Sequence, residues 1–423
     1  MRKGSTRTRH GLVAALDVGC SKVCCFIARL DGGAMPNVIG IGQQASRGIK
    51  GGAVVDMAAV EMTILNAVHA AEQMAGQTID HVIVSLSGGH PASSSVGVEV
   101  AINGHEIGDA DLRRAFAHGH DAQGQVEWVS NGRQLIHSIP TGYNIDGHRG
   151  IRDPRGMYGD QLGVDIHIVT AASSAVRNLT TCVQRSHLDV AGFVVAPYAS
   201  GLAALVEDEK NLGVTVIDMG GGTTTIAVFY EGNVIYTDVV PVGGMHVTSD
   251  IARGLSTPLA QAERMKTLFG HAMPVSADER EMIDVPQVGE DEPNQTRQVP
   301  RSLLVGIIQP RLEETFELVR SHLETSGFAK IAGRRVVLTG GASQLAGLPD
   351  LAALILDKQV RIGRPVHVRG LAEATAGPAY ATGAGLLVYA SLAGAAAPMT
   401  TRPQHGEPEG LIGRVGHWFR ENF

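Results

Sequence analysis

Residues 12–30 read LVAALDVGCSKVCCFIARL, and residues 214–230 read VTVIDMGGGTTTIAVFY. In both, an apolar strand ends in an acid, Asp17 or Asp218, turns through glycine and re-enters an apolar strand. The first turn carries Gly19, Cys20, Ser21 and Lys22; the second carries Gly220, Gly221, Gly222, Thr223 and Thr224. The shared Asp-x-Gly-x-x pattern occupies matching places in the two halves of the chain, an internal pseudo-repeat with one turn per lobe. Glycine frees the backbone so that successive N–H groups face one concavity, where they bind anionic oxygens. Ser21, Thr223 and Thr224 add hydroxyl donors, and Lys22 adds a point charge. Phosphate would repel Asp17 and Asp218 directly, so they are expected to hold Mg2+ through its waters. Either turn alone reads as a hairpin with a capping aspartate. As a matched pair they point to a polyphosphate site.

The composition bounds what surrounds these turns. A chain of 423 residues makes one large two-lobed body or two to three domains. With 35 basic and 42 acidic residues the net charge is −7, which argues against a nucleic-acid partner. Hydrophobic residues make up 44%, enough for real cores, and aromatics only 4%, so those cores are aliphatic. Cys20, Cys24, Cys25 and Cys182 are too few for a disulfide framework and read as buried thiols, with Cys24 and Cys25 on opposite strand faces. Residues 1–10 form a basic arm without the apolar stretch of a signal peptide. The uncharged stretch 374–401 is long enough to span a bilayer, but is mostly Ala, Gly, Ser and Thr. It is expected to be a close-packed core helix.

Elsewhere the pattern is alternating α/β. Strands are expected at 12–16, 23–30, 81–86, 214–217, 225–230, 234–240 and 335–338, and helices at 57–74, 174–185, 199–206, 247–255, 301–325 and 349–357. Residues 89–169 are polar and rich in His and Gly, with short alternating runs, and read as a small α+β insertion. The Pro- and acid-rich segment 274–298 reads as a surface excursion. Two further glycine sites stand out. A strand runs into Thr339, Gly340, Gly341, Ala342 and Ser343, where bare backbone leaves room for a flat ring. Gly243 and Gly244 precede a helix, and Glu263 and Lys266 then lie at i and i+3 of the next.

Together these residues resemble the actin/Hsp70/sugar-kinase ATPase superfamily. The turns at 17–22 and 218–224 are similar to its two phosphate loops, 339–343 to its adenosine loop, and 199–206 and 378–388 to its two lobe-connecting helices. Glu263 and Lys266 match positions where actin-like members contact ribose and adenine. Within the superfamily the sequence is similar to the bacterial cell-division FtsA family. Residues 137–170 resemble the exit of that family's 1C insertion, and LIGRVGHWFRENF at 411–423 resembles its membrane-targeting tail. The resemblance implies an α/β, two-lobed actin-like ATPase fold with a 1C subdomain inserted in the first lobe and a C-terminal amphipathic helix. It divides the chain into a basic arm (1–10), the first lobe 1A (11–88 and 170–210), 1C (89–169), the second lobe 2A (211–247 and 332–394), 2B (248–331), a linker (395–409) and the tail (410–423). It also implies ATP and Mg2+ as cofactors, self-assembly into a homopolymer, and attachment to the cytoplasmic face of the cell membrane at the division site. The implied partners are the FtsZ C-terminal peptide and later division proteins, the latter through 1C.

The tail can be read without the family. At about 100° per residue, Leu411, Ile412, Val415, Trp418, Phe419 and Phe423 share one face, and Arg414 and Arg420 lie off it. Aromatic residues beside arginine suit the surface of an anionic bilayer. One such tail is a weak anchor, but many tails on a polymer bind by avidity. By resemblance the FtsZ peptide docks on 2B, where Arg311, with Arg301 nearby, would meet its acids. In actin-like MreB a Glu before a Pro opens the first connecting helix and positions the attacking water. Ala196-Pro197-Tyr198-Ala199 stands here instead, which predicts firm ATP binding and slow hydrolysis. The alternatives are a pilus or secretion actin-like ATPase and a small-molecule kinase of the superfamily. A 1C-type insertion and a lipid-seeking tail are unexpected in the kinase, and the tail in the pilus protein.

Overall fold

The first apolar run forms β1 (His10–Val18) and, past the Gly19 turn, β2 (Lys22–Asp31), paired antiparallel with Asp17 opposite Cys24. These bounds come from a computed structural model that describes residues 10–31, 35–122, 131–276, 278–288 and 296–395. β3 (Asn37–Ala45) adds to β2, and a two-strand ribbon follows, β4 (Ile49–Lys50) with β5 (Ala53–Val54). The helix Met57–Ala75, capped by the Asp56 carboxylate on the Ala59 N–H, leads into β6 (His81–Leu86), parallel to β1. The chain then leaves for a second sheet of β7 (Ala92–Ala101), β8 (Arg133–Ile145), β9 (His148–Ile151) and β10 (Gln161–Ala172). That sheet is antiparallel in the order β7–β10–β8–β9, and the helix Asp109–Ala122 covers it. The polar insertion read from the sequence is thus an α+β unit. β11 (Asp189–Val195) returns beside β6.

The second half repeats this plan. β12 (Val214–Met219), β13 (Thr224–Tyr230) and β14 (Asn233–Val240) form an antiparallel meander. After helices Gly244–Leu255 and Leu259–Phe269 comes a hairpin of β15 (Met282–Pro286) and β16 (Thr296–Pro300). The long helix Arg301–Thr325 then leads to β17 (Arg335–Thr339) and, past helix Leu348–Leu356, to β18 (Gln359–Ile362). The sheet orders β3–β2–β1–β6–β11 and β14–β13–β12–β17–β18 are one arrangement, an antiparallel meander extended by two parallel strands. The pseudo-repeat seen in two turns therefore extends to both sheets.

Two expectations change. The segment 274–298 was expected on the surface, yet it carries β15 and most of β16, with Ile283 and Val285 buried in the second-lobe core. Alternation over five residues is enough to bury one face, and the prolines, at strand ends, do not interrupt the pairing. The first connecting helix was expected at 199–206 but runs Ala196–Ala204, because Pro197 is tolerated in a first turn and Leu205 is already extended. The second runs Ala381–Ala395, entered by a 3-10 turn at Pro378–Tyr380. These two helices cross closely: a Cβ on Gly385 would lie 1.7 Å from the Ala199 carbonyl oxygen. Leu386 and Leu387 are fully buried against Ala15, Phe26 and Val194. Among the described residues no helix is long and apolar enough to cross a membrane.

All four cysteines are buried and free. Cys25 faces the core under helix Met57–Ala75, and Cys24 faces the connecting helices, so the adjacent thiols serve different cores. Burial pushes the Cys24 thiol up to about 12 and raises Cys25 as well.

Candidate nucleotide site between the lobes

The two glycine turns are geometrically the same. The Gly19 N–H donates to the Lys22 carbonyl at 3.0 Å, and the Gly220 N–H donates to the Thr223 carbonyl at 2.9 Å. Asp17 pairs across its hairpin with Cys24, and Asp218 pairs with Thr225, one step before each turn. The pairing aligns Lys22 with Thr223. The turns face each other across the lobes: a Cβ on Gly221 would lie 3.1 Å from Ser21 Cβ, and one on Gly222 2.5 Å from Cys20 Sγ. Cys20 is buried, with its sulfur accepting from the Gly52 N–H at 3.1 Å. Ser21 and the half-buried Lys22 are the side chains of the first turn left at the cleft.

Each acid is held by hydroxyls. Ser85 Oγ donates to Asp17 Oδ1 at 2.8 Å while accepting the Val18 N–H. Burial lifts the Asp17 carboxyl to about 6, against the Ser85 hydrogen bond and the charge of Lys22. Asp218 receives Ser200 and Thr382, the latter at 2.9 Å, and burial raises its carboxyl too. The Lys22 ammonium lies 3.4 Å from the centre of the Tyr380 ring, and burial lowers its pKa.

The second turn is braced from behind. The Gly244 and Met245 N–H groups donate to the Gly220 and Gly221 carbonyls at 3.0 and 2.7 Å. A Cβ on Gly243 would meet the Gly220 oxygen at 2.6 Å, so only glycine lets this helix start so close to the turn. Thr224 is fully buried, and its hydroxyl donates to the Val242 carbonyl. Gly243, Gly244 and Thr224 were expected at the ligand; in the structure their groups also brace the second turn. Lys266 lies beside Gly244, with Nζ 2.7 Å from Glu263 Oε2, 2.9 Å from Thr248 Oγ1 and 3.1 Å from the Gly244 carbonyl. Gly340, at φ +84°, packs on Asp218. Ser343 is buried, its hydroxyl turned back onto the Gly340 carbonyl at 2.7 Å. Gly341 lies near Ala379, and Ala342 faces Gly244. The structure thus gathers both turns, 243–244, 263–266 and 340–343 into one continuous wall. Among the described residues no cluster of His, Cys, Asp and Glu forms a metal site by itself.

Comparison with known proteins identifies the family. Residues 215–385 match the family model described as cell division protein FtsA, and residues 88–170 match the SHS2 domain inserted in FtsA. The chain is 48% identical to FtsA of Agrobacterium fabrum, over 98% of this chain and 96% of that one. It is 34% identical to FtsA of Escherichia coli, over 90% and 91%. The chain belongs to the FtsA family. The SHS2 match falls on the β7–β10 sheet and its helix, the unit inserted between β6 and β11. Solved structures agree on the actin-like fold. A PilM-PilN type IV pilus biogenesis complex aligns with TM-score 0.62 and 18% identity, over 91% of this chain and 99% of that one. MreB 5 of Spiroplasma citri bound to AMPPNP aligns with 0.53 and 12%, over 91% and 97%. At these identities the likeness concerns the fold, so neither the pilus nor the kinase alternative is favoured.

Within this FtsA-family chain the two arginines expected at a partner are already engaged. Arg301 Nη1 lies 3.0 Å from Asp278 and 3.1 Å from Glu281, and its Nε donates to the Phe269 carbonyl. Arg311 Nε bonds Asp250 at 2.6 Å, and its Nη1 bonds Glu314. The tail residues Leu411 to Phe423 lie outside the described residues. Sequence reasoning missed Ser85, Ser200, Thr382 and Tyr380. No local pattern marks them, since each reaches the site from a strand or helix far along the chain.

Proposed function

We propose that this FtsA-family protein binds Mg-ATP between its lobes, polymerises on the cytoplasmic face of the cell membrane, and ties the FtsZ ring to it through its C-terminal amphipathic segment. Later division proteins would be recruited through the 1C insertion. The observation that carries the nucleotide reading is the pair of matching hairpin turns meeting across the cleft, each behind an acid whose carboxyl burial raises. Turn N–H groups, Ser21, Thr223 and Lys22 suit phosphate oxygens, and the fold is shared with an MreB solved with AMPPNP. Asp17 and Asp218 would hold Mg2+ through water, since each has one carboxylate oxygen bonded to protein hydroxyls and, among the described residues, the other free of them. The ion would neutralise the phosphates and order them for transfer. The first turn of helix Ala196–Ala204 holds no acid to orient water, which supports slow hydrolysis.

The membrane reading rests on the sequence of the tail and is tested by co-sedimentation with anionic liposomes in Mg-ATP. The full chain is compared with one ending at Glu409. Pelleting of the full chain and not of the truncation is the expected outcome. Equal pelleting of both would place the lipid contact elsewhere, and pelleting of neither would remove the anchor from this reading.

A further inference from the structure

Asp218 is tied down at one oxygen. Ser200 Oγ and Thr382 Oγ1 both donate to Oδ2 and lie 3.0 Å from each other. Three oxygens share two hydroxyl protons here, so two hydrogen bonds form, and those to the carboxylate are the stronger. Oδ1 lies against Gly340, where a Cβ would come within 2.3 Å of it, and among the described residues no hydrogen bond ends on it. All three side chains are buried. The two donors come from different elements, Ser200 from the first connecting helix and Thr382 from the first turn of the second.

We propose that Ser200 and Thr382 are positioning residues for the magnesium nucleotide: by clamping Oδ2 they hold the Asp218 carboxylate in one orientation, with Oδ1 presented to the waters of the ion. This rests on the nucleotide reading above and deepens it. Because the clamp joins the two helices that cross at Gly385 and Ala199, the direction of Oδ1 follows the crossing of those helices. Magnesium binding and the hinge are coupled through two hydroxyl groups.

The test is titration of the full chain with a fluorescent ATP analogue, once in Mg2+ and once in EDTA. Thr382→Val removes the hydroxyl and keeps the branched shape. It is expected to weaken binding about tenfold in Mg2+, the effect of one hydrogen bond to a charged group, and to leave binding in EDTA unchanged. Thr382→Ser is expected to restore the magnesium effect, and Ser200→Ala to repeat the loss if Thr382→Val does not fold. Equal weakening in both buffers would reduce the clamp to helix packing and overturn the proposal, as would no change in either. A wild-type chain that binds no nucleotide in either buffer would overturn the site reading itself. A wild type that binds with a clear magnesium effect leaves any failure with the clamp alone.

Discussion

His137 and His167 are buried in the 1C sheet. His137 accepts the Val195 N–H at 3.1 Å, while among the described residues neither ring nitrogen of His167 has a hydrogen-bond partner. Burial pulls His137 down to about 3 and His167 to about 4. The unfolded chain takes up these protons near pH 6.5 and the folded chain does not until about pH 4 or below. Stability is therefore fully present above about pH 6.5 and lost as pH falls, by about 1.4 kcal/mol per unit for each imidazole. Asp17, lifted to about 6, works in the opposite sense, since the folded state takes up its proton first and gains stability between about pH 6 and pH 4. Asp218, also raised by burial, acts in the same sense as Asp17, so the two carboxyls and the two imidazoles oppose one another on acidification. His167→Leu should thus lose less melting temperature than wild type between pH 7 and pH 5. Parallel curves for the two proteins would show that His167 takes up its proton alike in the folded and unfolded chains, so that burial does not hold its imidazole neutral.

At the scale of elements, helix Arg301–Thr325 shows how a surface reading changes when neighbours are known. Its boundaries were legible from the sequence, because a long apolar periodicity with polar faces specifies a helix by itself. Its arginines were not legible, because Asp250 and Asp278 are distant in sequence and arrive only through packing of the neighbouring elements. Arg311→Ala leaves the half-buried Asp250 without its ionic partner, at a cost of about 1–3 kcal/mol. The expected outcome is a lower melting temperature with or without any FtsZ peptide present. If peptide affinity fell and the melting temperature held, Arg311 would be a contact residue after all. The hairpin β15–β16 was missed for a related reason: five alternating residues between prolines become a strand only when a partner strand and a core face are supplied.

At the scale of the molecule, the 1C insertion belongs in sequence to the first lobe and touches the second. The Ser93 hydroxyl donates to the Thr237 carbonyl at 2.7 Å and accepts the Thr237 N–H at 3.0 Å, closing the free edge of β14. Asn233 donates to the Thr141 carbonyl, and Ile139 packs on the second-lobe cluster around Phe229. His137 meets Tyr198 and Tyr389 of the two connecting helices edge-on. The insertion therefore bridges the two lobes along this seam. Ser93→Ala should leave the Thr237 N–H exchanging with deuterium faster than in wild type, with little change at β12. Unchanged exchange at Thr237 would mean that the seam is closed by packing alone.

The sequence by itself determined the doubled α/β plan, the paired turns behind Asp17 and Asp218, the placement of the inserted unit and membership of the FtsA family. These rest on local signals, glycine-acid turns and hydrophobic periodicity, which require no knowledge of what lies across space. Tertiary structure alone brought Gly243 and Gly244 against the second turn and paired Arg301 and Arg311 with carboxylates of this chain. It alone brought Ser200 and Thr382 to one oxygen of Asp218. A hydrogen bond depends on where two distant segments are brought together, and a single stretch of sequence contains only one side of it.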